Sequence, residues 1–190
     1  MAVSTNNLVV ASGGSIWVAA TGTTAPVDPA VAPAAPWIEL GLVSEEGASI
    51  SYGKTIEEFM SWQRRNAVKR TVTADEITAS FTLQEWKKSS FTFAVGGGSI
   101  TNVSGTVYRY NFPTGNDDLD ERSLLIRWDD SGKSYQIHIE RGSVTEPVET
   151  NLSRTALAQL PISFKALSST TTDSIGVALL TDDPAFGLGS

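Results

Sequence analysis

The residues of this 190-residue chain that could carry out chemistry are few and widely spaced. There is one histidine, His138, and no cysteine, which excludes thiolate catalysis, disulfides and cysteine-based metal sites. No G-x-S-x-G elbow, P-loop or H-E-x-x-H motif is present to activate another nucleophile or a metal. His138 lies on the polar side of an alternating segment, where a lone histidine is usually solvated or hydrogen-bonded. We therefore expect no catalytic residues and no enzymatic activity.

One acidic cluster raises the question of a metal site. Its members, within five positions of one another and just ahead of Asp129–Asp130, are Asp117, Asp118, Asp120 and Glu121. Their spacing does not match the ligand order and central glycine of a calcium-binding EF-hand loop. Glycosidase chemistry by paired carboxylates is left open, but no motif supports it. We expect a solvated loop, with no metal and no cofactor.

The composition indicates one folded domain over residues 1–190. Hydrophobic residues make up 41% of the chain, enough to form a core. A net charge of −7 disfavours nucleic-acid binding as the main task, because an acidic surface repels phosphates. The apolar runs are too short to cross a bilayer, and the N-terminal residues lack the features of a signal peptide. We expect neither membrane association nor export.

Period-2 alternation recurs along the chain and predicts β-strands with one buried face. The clearest example is YQIHIE at residues 135–140, and the other segments are 79–83, 107–112, 124–128 and 162–166. Between two of them, Ser131–Gly132 has the composition of a tight turn and predicts a hairpin. Short strands separated by turns predict a mainly β fold, an antiparallel β-sandwich.

Two segments carry helical signals. In residues 55–60, Thr55 and Glu58 have the spacing of a capping box, and three apolar residues then share one helical face. We expect a short helix there. Residues 86–98 end in three glycines, but their apolar residues also alternate, so spacing alone leaves helix and strand both open.

Three stretches are more chain than a sandwich needs: a Pro/Ala arm at 21–36, a loop at 44–66 and a C-terminal arm at 168–190. Long connections in a compact domain are usually functional, and partner subunits would explain them. Proline favours extended backbone and removes amide donors, so the first arm can cross a surface without pairing as a strand. We expect Trp37 to anchor it on its own or a neighbouring subunit. In the C-terminal arm we expect the apolar run containing Ile175 and Leu179 to dock, either back on the sandwich or, as we favour, across a neighbour.

The order of motifs along the chain resembles that of one family. From Ser15 to about Asp183 the series includes SIWVAATGTTAP, PWIELGLVSEEG, IEEFMSWQ, VKRTVTADEITASFTLQEW, VYRYNF and SRTALAQLPISFKAL. It resembles the major tail protein, the tail-tube subunit, of long non-contractile-tailed bacteriophages, particularly those infecting actinobacteria. Each motif is short, and their order makes the resemblance specific.

The resemblance implies a structural virion protein without catalytic activity. Its fold would be a β-sandwich flanked by one short α-helix, which favours helix at about residues 86–95. Subunits would form homohexameric rings, stacked into a tail tube in the virion after assembly in the host cytoplasm. Other partners would be the tape measure, tail terminator and baseplate or tip proteins. Double-stranded DNA would pass through the bore during genome ejection without specific binding.

The resemblance also suggests which residues meet other subunits. In the family a long loop reaches the next ring, and the loop at 44–66 corresponds to it. The charged side chains that we expect to pair between rings are Glu45, Glu46, Glu57, Glu58, Arg64 and Arg65. An electronegative bore would let DNA slide. Its candidate linings are the face of Gln136, His138 and Glu140, or the face opposite Leu124, Ile126 and Trp128.

Two other classes stay open. A tail-terminator or secretion-tube subunit would also self-assemble. A carbohydrate-binding or adhesive β-sandwich would use tryptophans as a sugar platform, although the five tryptophans are scattered. Self-association separates the classes, because a tube subunit forms rings whereas a binding module stays monomeric.

Overall fold

The structure, a computed structural model, describes residues 7–114, 119–170 and 174–187. Within them the elements are β1 (Gly14–Ala20), β2 (Ile38–Glu39), β3 (Val43–Ser61), β4 (Arg64–Leu83), α1 (Lys88–Val95), β5 (Ser99–Ser104), β6 (Val107–Asn111), β7 (Arg122–Asp130), β8 (Lys133–Val144), β9 (Leu160–Ala166) and β10 (Val177–Thr181). The strands pair antiparallel. The prediction of a mainly β fold with one short α-helix is confirmed. No helix in the described ranges is long and apolar enough to span a membrane.

One eight-stranded sheet folds over to enclose the core. Its order is β2-β1-β7-β8-β9-β4-β3, and β10 also pairs with β8. The first half of β8 lies between β7 and β10, whereas its last residues pair with β9. The first layer therefore consists of β2, β1, β7, β10 and the first half of β8, and the second layer consists of the end of β8 with β9, β4 and β3. Side chains of both layers form a single hydrophobic cluster, among them Ile16, Leu124, Ile126, Ile139, Ala79, Phe81, Ile162 and Phe164.

The helix α1 packs against the second layer. Its Phe93 ring stacks on Phe164 and on Phe81, with centroid distances of 5.6 and 6.4 Å. At its start the Lys87 amide donates to Ser90 Oγ at 3.0 Å, and the helix ends at Gly96, whose φ of 74° is left-handed. The helix that the resemblance favoured is confirmed.

The alternating segments all form strands, as predicted. The predicted hairpin joins β7 to β8, with Asp130 opposite Lys133 and only Ser131–Gly132 between them. These two residues have φ values of 52° and 80°, the double positive φ of a type I′ turn. The pattern and the turn residues together therefore predicted this part of the sheet correctly.

The short helix predicted at residues 55–60 is wrong, because these residues lie in β3. Glu58 does not close a capping box: its carboxylate accepts a hydrogen bond from Arg70 Nε of β4 at 2.7 Å. Ladder pairing with β4 along the whole segment overrides a helical pattern that spans less than two turns.

The prediction of a loop at residues 44–66 is also wrong. These residues form most of β3, the turn after it and the start of β4, and β3 and β4 together make a long β-hairpin. The root of this hairpin is the end where Val43 lies opposite Leu83. On the other side of β4, β9 pairs only as far as Thr78. Among the strands that the structure describes, the 14 residues from Arg64 to Ile77 therefore pair with β3 alone, and the overhang is roughly 45 Å long at ~3.3 Å per residue.

Candidate assembly surfaces

One face of the overhanging hairpin carries apolar side chains on both sides of one charged pair, Lys54 opposite Asp75. Residues in register share a face, and on this face the pairs are Ile50 with Ala79, Tyr52 with Ile77, and Ile56 with Val72. Ala79 is buried in the core, but Tyr52, Ile56 and Val72 further out are 58%, 52% and 48% exposed. We call Ile50, Tyr52, Ile56, Val72 and Ile77 the apolar strip. A strip of this length on an isolated subunit is typical of a surface that another chain covers.

A β-bulge keeps the apolar strip on one side. Thr55 lies opposite Ala74 and Ile56 lies opposite Val72, so Thr73 is the extra residue. Thr73 Oγ1 donates to the Thr55 carbonyl oxygen at 3.2 Å, which holds the bulge. In a regular ladder Thr73 would lie opposite Ile56, and Val72 would point to the other face of the hairpin.

The other face of the second layer carries small hydroxyl side chains. Because Ala79, Phe81 and Leu83 point into the core, the residues between them point outward. We call this surface the hydroxyl face; its residues on β3, β4 and β9 are Ser49, Ser51, Thr78, Ser80, Thr82 and Ser163. Lys165 also lies on this face, opposite Thr78, and makes a 2.9 Å ion pair with Glu76.

The structure divides the six charged residues expected to pair between rings into two groups. Glu45 and Glu46 lie near the hairpin root, in the irregular register between Val43 and Ala48. The other four lie in the distal hairpin: Glu57, Glu58, Arg64 and Arg65. We call residues 62–70 the basic tip, because they include four cations and no acid.

The Pro/Ala arm lies across β7 and β8 of its own subunit. Its carbonyl oxygens accept hydrogen bonds from the sheet: Gln136 Nε2 donates to Pro26 O at 2.5 Å, and Arg127 Nη2 donates to Pro29 O. Because proline has no amide hydrogen, the arm cannot pair with the sheet as a regular strand. Side chains of the sheet instead donate hydrogen bonds to the carbonyl oxygens of the arm. Trp37 at its end is buried, and its Nε1 donates to Thr24 O at 3.3 Å.

The arm covers the face that was expected to line a bore. Gln136 is fully buried beneath it, so its side chain is not available to a lumen in this structure. His138 Nε2 lies 3.0 Å from the carbonyl oxygen of Thr23, which can only accept a hydrogen bond, so Nε2 is the donor. Burial lowers the pKa of His138. Glu140 accepts a hydrogen bond from Thr170 Oγ1 at 3.2 Å, and the hydrogen bond from Ser169 is the main cause that lowers its pKa.

Neither the acidic cluster nor the tryptophans form a ligand site in the described part of the chain. Asp120 pairs with Arg122 at 2.8 Å and Glu121 with Arg141 at 2.7 Å, whereas Asp117 and Asp118 lie outside the described residues. The described residues include no group of three potential metal ligands. Each tryptophan occupies a different place; Trp128, for example, stacks on Tyr135 in the sheet.

A comparison with known protein families identifies the family to which this chain belongs. The model of a family described as phage tail tube protein matches residues 1–186. The chain belongs to this family. It is therefore a structural protein of the phage tail and not an enzyme, and membership implies self-assembly and association with other tail proteins. A comparison with curated proteins found no match.

The C-terminal segment of this tail tube protein docks on its own sandwich, the first of the two placements expected for it. β10 pairs with β8, and Leu179 lies opposite Ile137. Ile175 packs against the core cluster. β8 offers a free edge where it leaves β9, and the apolar run of the segment fills it.

A buried polar cluster fixes the end of β10. Asp183 accepts hydrogen bonds from Tyr135 Oη at 2.6 Å and from the Ala185 amide at 2.9 Å, and it pairs with Lys133 Nζ at 2.9 Å. The Tyr135 hydrogen bond is the largest cause that lowers the pKa of Asp183 to about 2 and raises the pKa of Tyr135 to about 12.

Substituting Asp183→Asn in this tail tube protein is expected to lower thermal stability at neutral pH. Because folding depresses the pKa of Asp183, its contribution is complete above about pH 4 and is lost as the pH falls to about 2. Melting temperatures of the two chains should therefore converge over this range. The control Asp129→Asn, at an exposed position, should melt like the parent chain throughout. A melting difference that persists unchanged at pH 2 would contradict this assignment.

Proposed function

We propose that this tail tube protein assembles into hexameric rings, and that the rings stack into the tube through which phage DNA leaves. The observation that carries the proposal is the overhanging hairpin. Its strand β3 is an edge of the sheet and is 19 residues long, with the apolar strip beside it. A long exposed edge of this kind is an aggregation hazard in a monomer, whereas pairing in a closed ring removes it.

Within a ring, the apolar strip packs against the neighbouring subunit. The strip continues outward from the core at Ala79, so a neighbour that covers it extends the subunit's own hydrophobic core across the interface. Burying each large side chain contributes about 1.5–3 kcal/mol before the costs of ordering are subtracted. This arrangement uses the hairpin as a rigid element and leaves its hydroxyl face free.

The hydroxyl face lines the bore in this proposal, in place of Gln136, His138 and Glu140. DNA must slide through without being held, and unpaired cations along the wall would bind its phosphates. The hydroxyl face has small side chains, and its lysine, Lys165, is already paired with Glu76. Its chemistry therefore fits a wall that passes DNA without binding it.

The proposed ring is tested by the native mass of the purified chain. Six copies of the 20.2 kDa chain give a species of about 121 kDa, together with larger species that are multiples of it. Native mass spectrometry and light scattering at increasing concentration measure this directly. A single 20.2 kDa species at all concentrations would overturn the proposal and would favour a monomeric binding module.

A further inference from the structure

We propose that the tip of the loop between β8 and β9 packs into a cleft between the two sheet layers of the neighbouring subunit in the same ring. This inference rests on the proposed function, because it requires a ring. The two surfaces that meet are an apolar cleft with unpaired carboxylates and an exposed loop that carries two leucines and an arginine.

The receiving surface is a cleft of about 800 Å³ between the two layers, beside the start of β3. We call it the interlayer cleft; Ile16 and Ile126 of the first layer and Val43 and Ile50 of the second form part of its apolar wall. Pockets of this volume hold ligands the size of several side chains. Ile50 also belongs to the apolar strip, so a neighbour that covers the strip reaches the interlayer cleft as well.

The interlayer cleft also carries polar groups that its own subunit leaves without a partner. Glu39 and Glu45 line it and make no ion pair with any residue that the structure describes, whereas Glu85 pairs with Lys87 at 3.6 Å. The Ser44 hydroxyl is buried in the wall and has no hydrogen-bond partner among the described protein atoms. Because buried polar groups normally find a partner, the cleft fits a segment that brings a cation and backbone polar groups together with apolar side chains.

The loop between β8 and β9 has this composition at its tip. We call residues 151–157 the loop tip, and all of them are exposed. Leu152 and Leu157 are 75% and 67% exposed, and Arg154 between them makes no ion pair in the described part of the chain. Ser153 Oγ accepts a hydrogen bond from the amide three residues later at 3.0 Å, so the tip has a defined turn. Two leucines on either side of an arginine match an apolar cleft with two unpaired carboxylates.

The topology places the two surfaces at different edges of the second layer. β3 is one edge of this layer, whereas the loop joins the end of β8 to β9 at the other. None of the loop-tip residues lines the interlayer cleft of its own subunit, so the pairing requires a second copy. A contact between two different patches is head-to-tail, and it closes a ring when the rotation between neighbours closes.

Charge reversal at each surface tests the pairing. Arg154→Glu sets an acid against the carboxylates of the cleft, and Glu45→Arg sets two cations against each other. Each single variant should raise the concentration needed for ring assembly at least about tenfold, because like charges in contact oppose binding. The double variant Arg154→Glu/Glu45→Arg restores opposite charges and should assemble like the parent chain. Lys88→Glu and Asp129→Arg, matched controls at exposed positions outside both surfaces, should also assemble normally. Native mass spectrometry over a concentration series measures the rings.

A disulfide locates the contact directly, because the chain has no cysteine of its own. Leu157→Cys in the loop tip is mixed in equal amounts with Leu42→Cys, which lines the cleft, and rings are formed under mild oxidation. A denaturing gel should show a covalent dimer of about 40 kDa, twice the 20.2 kDa of one chain. Each variant alone should give no dimer, and neither should Leu157→Cys mixed with Val27→Cys, a control at an exposed position of the Pro/Ala arm.

Rings that form without the disulfide, or a double charge variant that does not regain assembly, overturn the pairing and leave the proposed ring intact. A chain with both cysteines that closes the disulfide as a monomer places the loop tip in its own cleft and also overturns the pairing. A disulfide that forms only in stacked tubes, and not in single rings, assigns the contact to the next ring and is equally contradictory. A parent chain that stays monomeric overturns the proposed function itself, and the pairing with it.

Discussion

Removal of the distal hairpin is expected to abolish tube formation and leave a folded subunit. The deletion spans residues 54–75, and an Asn-Gly turn joins Gly53 to Glu76, which already lie opposite each other. It removes Ile56 and Val72 of the apolar strip and all of the basic tip, but no residue of the core cluster. The melting temperature should stay within a few degrees of the parent chain, because the overhang has no other strand partner. Sedimentation should show no rings and no tubes.

A milder pair of variants distinguishes the apolar strip from the length of the hairpin. Ile56→Ser/Val72→Ser changes one cross-strand pair of the strip, and the matched control Glu57→Ser/Thr71→Ser changes the next pair, on the opposite face. The first variant should lose ring assembly and the second should retain it. Equal loss of ring assembly in both variants would indicate that the backbone of the strand, and not the apolar strip, makes the contact between subunits.

Replacing Phe164 by alanine is expected to destabilise the subunit by about 3–5 kcal/mol. Phe164 is fully buried and stacks on Phe93, so its removal leaves a cavity where β9 meets α1. Because single domains are stable by only ~5–15 kcal/mol, much of this variant should unfold in low denaturant. Urea unfolding followed by tryptophan fluorescence measures the change. The control Phe186→Ala, at an exposed position, should change stability by no more than about 0.5 kcal/mol.

The sandwich could be predicted from sequence wherever local and tertiary preferences agree. In YQIHIE the period-2 pattern, the β-forming residues and the following pairing with β7 all favour a strand. The two-residue turn Ser131–Gly132 by itself fixes the register between β7 and β8. In TIEEFM the preferences conflict, because six residues match one helical face but are too few to form a stable helix against a 20-residue partner strand.

The assembly surfaces could be predicted only in part. The charges of the hairpin are visible in the sequence, but the separation of the basic tip from Glu45 and Glu46 at the root depends on the strand geometry. The covering of Gln136 by the Pro/Ala arm also depends on the three-dimensional fold, and not on the local sequence. An alternating polar residue signals the outer face of a strand, but not what lies on that face.

The central claim, that this chain builds a tube of stacked rings, is tested most directly by electron cryomicroscopy of the purified protein at assembling concentration. We expect hollow tubes of stacked sixfold rings, with the hydroxyl face on the bore and the basic tip of each subunit against the next ring. A bore lined mostly by lysine and arginine would contradict the assignment of the faces. Particles that remain single subunits at every concentration would contradict the account as a whole.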